Sequence, residues 1–117
     1  PRLLGLLQQA AVVAVPSLSE TFGLVIIEAW AAGAPVIVSR TSGAAALVRQ
    51  EENGLFFELE KPATFSASID RMLSDRDFAQ ASAGRGHELA AREYDTALLS
   101  RRIQNLYEDL IQEKTRP

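Results

Sequence analysis

The sequence is most constrained by two short apolar runs that flank a longer apolar segment. The first run, AVVAV, ends at Pro16, and the second extends from Val36 to Val38. Both are rich in β-branched residues and too short for a helix, whereas the segment between them, GLVIIEAWAAG, contains strong helix formers. Two uninterrupted apolar strands joined by a helix predict neighbouring parallel strands in a sheet that is covered on both faces.

The rest of the chain continues this alternation and then becomes helical. We expect a helix at the leucine-rich start, a short helix over residues 43–49, a third strand over 55–58, and helices beginning at Pro62, after Asp75 and at Thr96. This pattern predicts one α/β unit, with a core over residues 1–60 and a helical tail over 61–117. Nucleotide-binding sheets of this class are built from two such halves, so we expect a partial domain whose first strand has an unpaired edge.

Composition agrees with a folded domain and argues against several functions. Hydrophobic residues make up 47% of the 117 residues and charged residues 23%, and the net charge of -3 comes without the basic cluster that nucleic acid requires. Cysteine is absent and His87 is the single histidine, so no thiolate or histidine cluster can hold a metal. The lack of cysteine permits a reducing compartment, and we expect the cytoplasm.

One charged residue lies within the apolar helix. Glu28 has apolar neighbours on both sides in the sequence, so no face of the helix is predicted to be solvated there. Burying an unpaired carboxylate costs on the order of several kcal/mol, and a helix dipole returns only about 0.3 to 2 kcal/mol. Glu28 therefore either pairs with a basic side chain or accepts hydrogen bonds from ligand hydroxyls, and spacing alone leaves both open.

A glycine stands where this helix should begin. Gly23 follows Glu20, Thr21 and Phe22, and a helix N-terminus at this point offers free backbone amides and partial positive charge. Because glycine lets a ligand approach the main chain closely, a diphosphate could bind there. The alternative is an ordinary strand-to-helix turn in which glycine is only a steric convenience.

The residues between Pro16 and Val36 together resemble a known signature. The pattern PS-x-x-E-x-F-G-L-x-x-x-E-A-x-A-x-G-x-P-V occurs here with its glutamates at Glu20 and Glu28, and it is similar to the donor-site signature of family 4 (group 1) glycosyltransferases. Weaker similarity continues through SGAAALV and ENGLFFE. The clearest departure is Ala46, which stands where the family usually has Glu.

The resemblance implies a fold and a set of site residues. The fold would be α/β, a three-layer Rossmann-like half-domain of the C-terminal GT-B type, with a short parallel sheet and a C-terminal helical tail. The position of Glu28 implies a contact with the ribose hydroxyls of a nucleotide sugar, and the position of Glu20 implies a catalytic contact with the transferred sugar. Backbone amides would bind the sugar at Phe22 and Gly23 and the diphosphate at Leu24 and Val25.

The implied function is donor binding in a retaining transferase that takes a UDP-, GDP- or ADP-sugar and uses no metal or other cofactor. The acceptor domain, and the basic pair that stabilises the leaving diphosphate, would precede this chain. We therefore expect the chain to be inactive alone, and any peripheral membrane association to come through the missing domain. The alternatives are a sugar phosphorylase or nucleotide-sugar epimerase of the same fold, and a diverged non-catalytic module.

Three further residues and the unpaired edge of the first strand also give predictions. Arg40 follows the second strand and could add positive charge to the site, although an exposed loop arginine is the simpler interpretation. His87 is expected on a helix surface and Trp30 in the core. The unpaired edge of the first strand predicts self-association.

Overall fold

A computed structural model of the chain describes residues 2–17, 23–94 and 96–115, with side chains over 5–17 and 23–94 and at 101 and 104–112. Along the chain the elements are α1 Arg2–Gln9, β1 Val13–Val15, α2 Leu24–Ala31, β2 Val36–Ser39, α3 Ser42–Leu47, β3 Leu55–Phe57, α4 Pro62–Ser74, α5 Arg76–Glu93 and α6 Thr96–Thr115. This confirms the predicted order of strands and helices.

Several element boundaries differ from the prediction by one or two residues, including the start of β1 at Val13 and the end of β2 at Ser39, and one is confirmed by a cap. Helix α3 begins and ends earlier than expected, because the Thr41 hydroxyl accepts a hydrogen bond from the Ala44 amide at 3.1 Å and starts the helix at Ser42. Strand β3 ends at Phe57, one residue early. Asp75 caps α5 as predicted, since its carboxylate accepts a hydrogen bond from the Phe78 amide at 3.1 Å.

The strands form a parallel sheet in the order β1-β2-β3. Val13 pairs with Val36 across the first strand pair, and Ile37 pairs with Leu55 across the second. Among the residues that the structure describes, β1 has no strand on its outer side. The expected unpaired edge is therefore present.

Helices cover the two faces of the sheet and make three layers. Side chains alternate along β2, so that Val36 and Val38 face α2 while Ile37 faces α4. The core on the α4 face includes Ile37, Leu55, Phe57, Met72 and Ala79, with Phe65 and Phe78 packed against it. Helix α5 contributes to both cores, through Ala79 near its start and Ala90 near its end.

Helix α2 is the central helix of the domain. Trp30 is fully buried, as predicted for a core residue, and its indole N–H donates to the Asn53 carbonyl at 3.2 Å. The helix ends at Ala31, and Gly33 follows with a φ of 81° while its amide donates to the Trp30 carbonyl at 3.0 Å. In the described parts of the chain no helix combines the length and apolarity needed to cross a membrane.

Candidate functional site

The carboxyl edge of the sheet is where the candidate residues converge. Strands β1, β2 and β3 end at this edge, and helices α2, α3 and α4 begin there. Each helix N-terminus carries partial positive charge, and ligands of open α/β sheets bind outside the carboxyl ends of the strands. The topology alone therefore makes this edge the place to look for an anionic ligand.

The N-terminus of α2 lies at this edge and carries the first backbone amides of the helix. Gly23 is the N-cap residue, and the Ile27 amide donates to its carbonyl at 3.1 Å. The N–H groups of Leu24 and Val25 come before that bond and have no partner within the helix. A phosphate that approaches the helix end would meet two such donors.

Gly23 is also required by the backbone and by packing. Its φ of 64° is in the left-handed region, and a β-carbon at this residue would overlap the Cδ1 atom of Leu47 in α3. The structure therefore explains the glycine whether or not a ligand binds. Its proximity to α3 fixes the end of the loop that joins β1 to α2.

Glu28 lies one turn further into α2 and is buried, with 1% of its surface exposed. This is the burial that its apolar neighbours predict. Glu28 is not isolated, because it makes a polar interaction within the structure.

Ser39 is a residue of this edge that the sequence reasoning missed. It closes β2, is 2% exposed, and its hydroxyl accepts a hydrogen bond from the Ser17 amide at 2.8 Å. The same oxygen lies 2.6 Å from the Ser17 carbonyl and 3.1 Å from the Val15 carbonyl, so it can donate to one of them at a time. The available signal was a polar residue at the end of an otherwise apolar strand.

Arg40 lies next to Ser39 and lines a cleft at the carboxyl edge. The cleft has a volume of about 190 Å³ and is lined by Ser17, Ser39, Arg40, Glu58, Leu59 and Glu60. The Arg40 guanidinium is exposed and stands 4.3 Å from the centre of the Phe56 ring, a cation–π contact that holds it over β3. Arg40 is thus an exposed arginine, as the simpler interpretation expects, and it lies at the edge where added positive charge would act.

The remaining candidates lie elsewhere or are not described. Glu20 and Phe22 fall outside the described residues. Ala46 is exposed on α3. His87 is exposed on α5, as predicted, and its Nδ1 lies 3.0 Å from the Trp30 carbonyl at the far end of α2.

Two further features bear on the site. Two larger clefts open at the amino edge of the sheet, a third of about 260 Å³ opens at the carboxyl edge beside Phe57 and Pro62, and Glu28 lines none of these four clefts. Within the described ranges, no three His, Asp or Glu residues are grouped so that they could hold a metal ion.

Comparison with protein families gives a match over most of the chain. The sequence model described as glycosyl transferases group 1 matches residues 1–88. A curated relative, D-inositol 3-phosphate glycosyltransferase of Corynebacterium urealyticum, is 36% identical over 108 residues, which are 92% of this chain and 25% of the relative. The chain therefore spans about a quarter of that relative's length.

Solved structures give the same result. Sucrose-phosphate synthase of Thermosynechococcus elongatus superposes with a TM-score of 0.70 and 34% identity, over 89% of this chain and 26% of the synthase chain. Anabaena HepE in complex with UDP-glucose superposes with a TM-score of 0.74 and 25% identity, over 89% of this chain and 29% of the HepE chain. The α/β architecture seen here is thus that of known glycosyltransferase structures.

Proposed function

The chain belongs to the group 1 glycosyl transferases, and on that premise we propose that it forms the donor-binding part of a transferase that uses a nucleoside diphosphate sugar. The observation that carries the proposal is the N-terminus of α2, where Gly23 opens the helix at the carboxyl edge and buried Glu28 follows one turn later. Free amides suit a diphosphate, and a carboxylate suits the hydroxyls of a ribose.

The proposed roles of the site residues follow from this arrangement and from the family signature. The amides of Leu24 and Val25 bind the diphosphate, Glu28 accepts hydrogen bonds from the ribose, and the amides of Phe22 and Gly23 meet the sugar. Glu20 contacts the transferred sugar and is the proposed catalytic residue.

The proposed reaction breaks the bond between the anomeric carbon and the diphosphate, forms a bond to an acceptor hydroxyl, and releases the acceptor proton. Charge then develops on the leaving diphosphate, and the amides at the start of α2 stabilise part of it. We propose retention at the anomeric carbon and no bound metal or other cofactor, as in the resembling family. The acceptor domain and the basic pair are proposed to lie outside this chain, which predicts that the chain alone transfers no sugar.

The donor nucleotide is proposed to be UDP, GDP or ADP. Of these three nucleotides, UDP has the most support, because Anabaena HepE was solved in complex with UDP-glucose and has the same architecture over the matched region. The sequence-based domain division and cytoplasmic location remain predictions.

Isothermal titration calorimetry of the chain with UDP, GDP and ADP tests the proposal. We expect heat and saturation with one of the three, together with no detectable sugar transfer. Absence of binding to all three would favour a diverged non-catalytic module, for which Ala46 in place of the usual family glutamate is the supporting observation. Transfer to an acceptor by the chain alone would contradict the proposed inactivity.

A further inference from the structure

The loop between α3 and β3 is held together by the side chain of Asn53. Asn53 is buried, with 7% of its surface exposed. Its Oδ1 atom accepts a hydrogen bond from the Arg49 amide at 2.7 Å, and its Nδ2 atom donates to the Leu47 carbonyl at 3.2 Å. A carboxylate of the same shape could make only the first of these bonds. Asn53 therefore fixes the last residue of α3, Leu47, relative to the loop that follows.

This segment contacts α2 near both ends of the helix. Leu47 packs against the N-cap of α2, where a β-carbon added to Gly23 would overlap its Cδ1 atom. Near the other end of α2, the Trp30 indole N–H donates to the backbone carbonyl of Asn53 at 3.2 Å. The position of α2 therefore depends on the conformation of the α3–β3 loop.

We propose that Asn53 is a positioning residue for the diphosphate of the donor, because it holds Leu47 against Gly23 and so sets where the first turn of α2 stands. The inference rests on the proposed function, which assigns the diphosphate to the amides of Leu24 and Val25. Those two residues directly follow Gly23 in the sequence. Amides bind a phosphate well only at hydrogen-bond distance, so even a small displacement of the first turn weakens the contact.

The middle of α2 is supported independently of this contact. Glu28 stands between Ile27 and Ala29, which are each no more than 2% exposed and belong to the core. Removal of the Asn53 side chain leaves the Leu47 carbonyl without this donor in a buried place. The resulting displacement should be largest at the N-cap of α2, which Leu47 contacts, and smaller at Glu28. Binding of the diphosphate should therefore weaken more than binding of the ribose.

The test is calorimetric titration of the wild type and Asn53→Ala with UDP, GDP and ADP, and with UMP, GMP and AMP in competition with the diphosphate that binds. A monophosphate lacks only the second phosphate, so the ratio of the two affinities reports how well the start of α2 binds that group. We expect this ratio to fall about fivefold or more in Asn53→Ala. A residue that contributes only to stability would lower the melting temperature and leave the ratio unchanged.

Asn53→Asp is a second variant, which keeps the size of the side chain. Its carboxylate can accept a hydrogen bond from the Arg49 amide but cannot donate to the Leu47 carbonyl. The ratio should therefore fall in this variant as well, and circular dichroism checks that each variant is folded.

Ser68→Ala is the matched control. Ser68 is also 7% exposed, and its hydroxyl donates to the Thr64 carbonyl at 2.9 Å within α4, on the face of the sheet opposite α2. This variant should lower the melting temperature without changing the ratio of diphosphate to monophosphate affinity.

The outcomes separate the inference from the proposed function. If the wild type binds a diphosphate and the folded variants of Asn53 weaken diphosphate and monophosphate equally, or neither, Asn53 has no positioning role and the inference is wrong. Loss of folding in both variants would assign Asn53 to stability alone and would also overturn the inference. If the wild type binds none of the six nucleotides, the proposed function itself is wrong and the inference is lost with it.

Discussion

The indole of Trp30 lies so close to Gly86 that a β-carbon at residue 86 would overlap the indole atoms Cγ, Cδ1 and Nε1. Trp30 belongs to α2, the helix that carries Glu28, and Gly86 belongs to the middle of α5. Glycine is unfavourable inside a helix, so its presence there is explained by this contact. Helix α2, which is proposed to bind the donor at its N-terminus, therefore packs against α5 near its C-terminal end.

Adding a methyl group at Gly86 should therefore destabilise the domain. In Gly86→Ala the new β-carbon has to displace a fully buried indole, which we expect to lower the free energy of unfolding by about 1 to 3 kcal/mol. Gly84→Ala is the matched control, since nothing lies within 4 Å of a β-carbon at that position of the same helix. It should gain about 0.5 to 1 kcal/mol from better helix propensity. Denaturant unfolding measures both, and similar values for the two variants would contradict the packing described.

Gly23 should tolerate substitution less well than Gly33, although both have positive φ. A β-carbon at residue 33 would meet no atom within 4 Å. Gly33→Ala should therefore lower the free energy of unfolding only by the cost of a left-handed backbone, about 1 to 2 kcal/mol. Gly23→Ala has the same backbone cost and in addition an overlap with Leu47, so it should be the less stable of the two variants. Thermal unfolding of the two variants side by side is the measurement. Equal melting temperatures would show that the contact between the loop end and α3 is not tight.

Replacement of Glu28 tests the site assignment directly. Glu28→Gln keeps the shape of the side chain but removes its charge, and we expect nucleotide diphosphate affinity to fall about 10-fold or more because charge-assisted hydrogen bonds are the stronger ones. Glu88→Gln makes the same change at an exposed residue of α5 and should leave affinity unchanged. Calorimetry measures affinity, and circular dichroism checks that both variants remain folded. Unchanged affinity in Glu28→Gln would remove Glu28 from the site.

The open edge of β1 should allow chains to associate. Ala14 is exposed in the middle of this strand, and a charged residue at a sheet edge opposes pairing with another chain. We expect the wild type to self-associate as its concentration rises in sedimentation velocity runs, and Ala14→Lys to do so less. Ala81→Lys, on the exposed face of α5, controls for the added charge. A wild type that stays monomeric at high concentration would contradict the predicted association through the edge of β1.

The order of elements and the burial of Glu28 could be predicted because their signals are local. An apolar run bounded by turn residues and a carboxylate among apolar neighbours are each visible within about ten residues of sequence. The signature from Pro16 to Val36 also lies within a short stretch of sequence, and the comparisons confirm the family that it indicated. The role of each signature residue remains a prediction.

Sequence alone thus determined which segments form strands, which form helices, and which acid is buried, because hydrophobic periodicity and turn chemistry act between near neighbours. Only the tertiary structure decided that Ser39 binds Ser17, 22 residues away, and that Trp30 packs on Gly86 in a helix much later in the chain. Those contacts depend on the register of the parallel strands and on the seating of α2 against α5. Both depend on the packing of the whole domain, so they cannot be predicted from any short stretch of sequence.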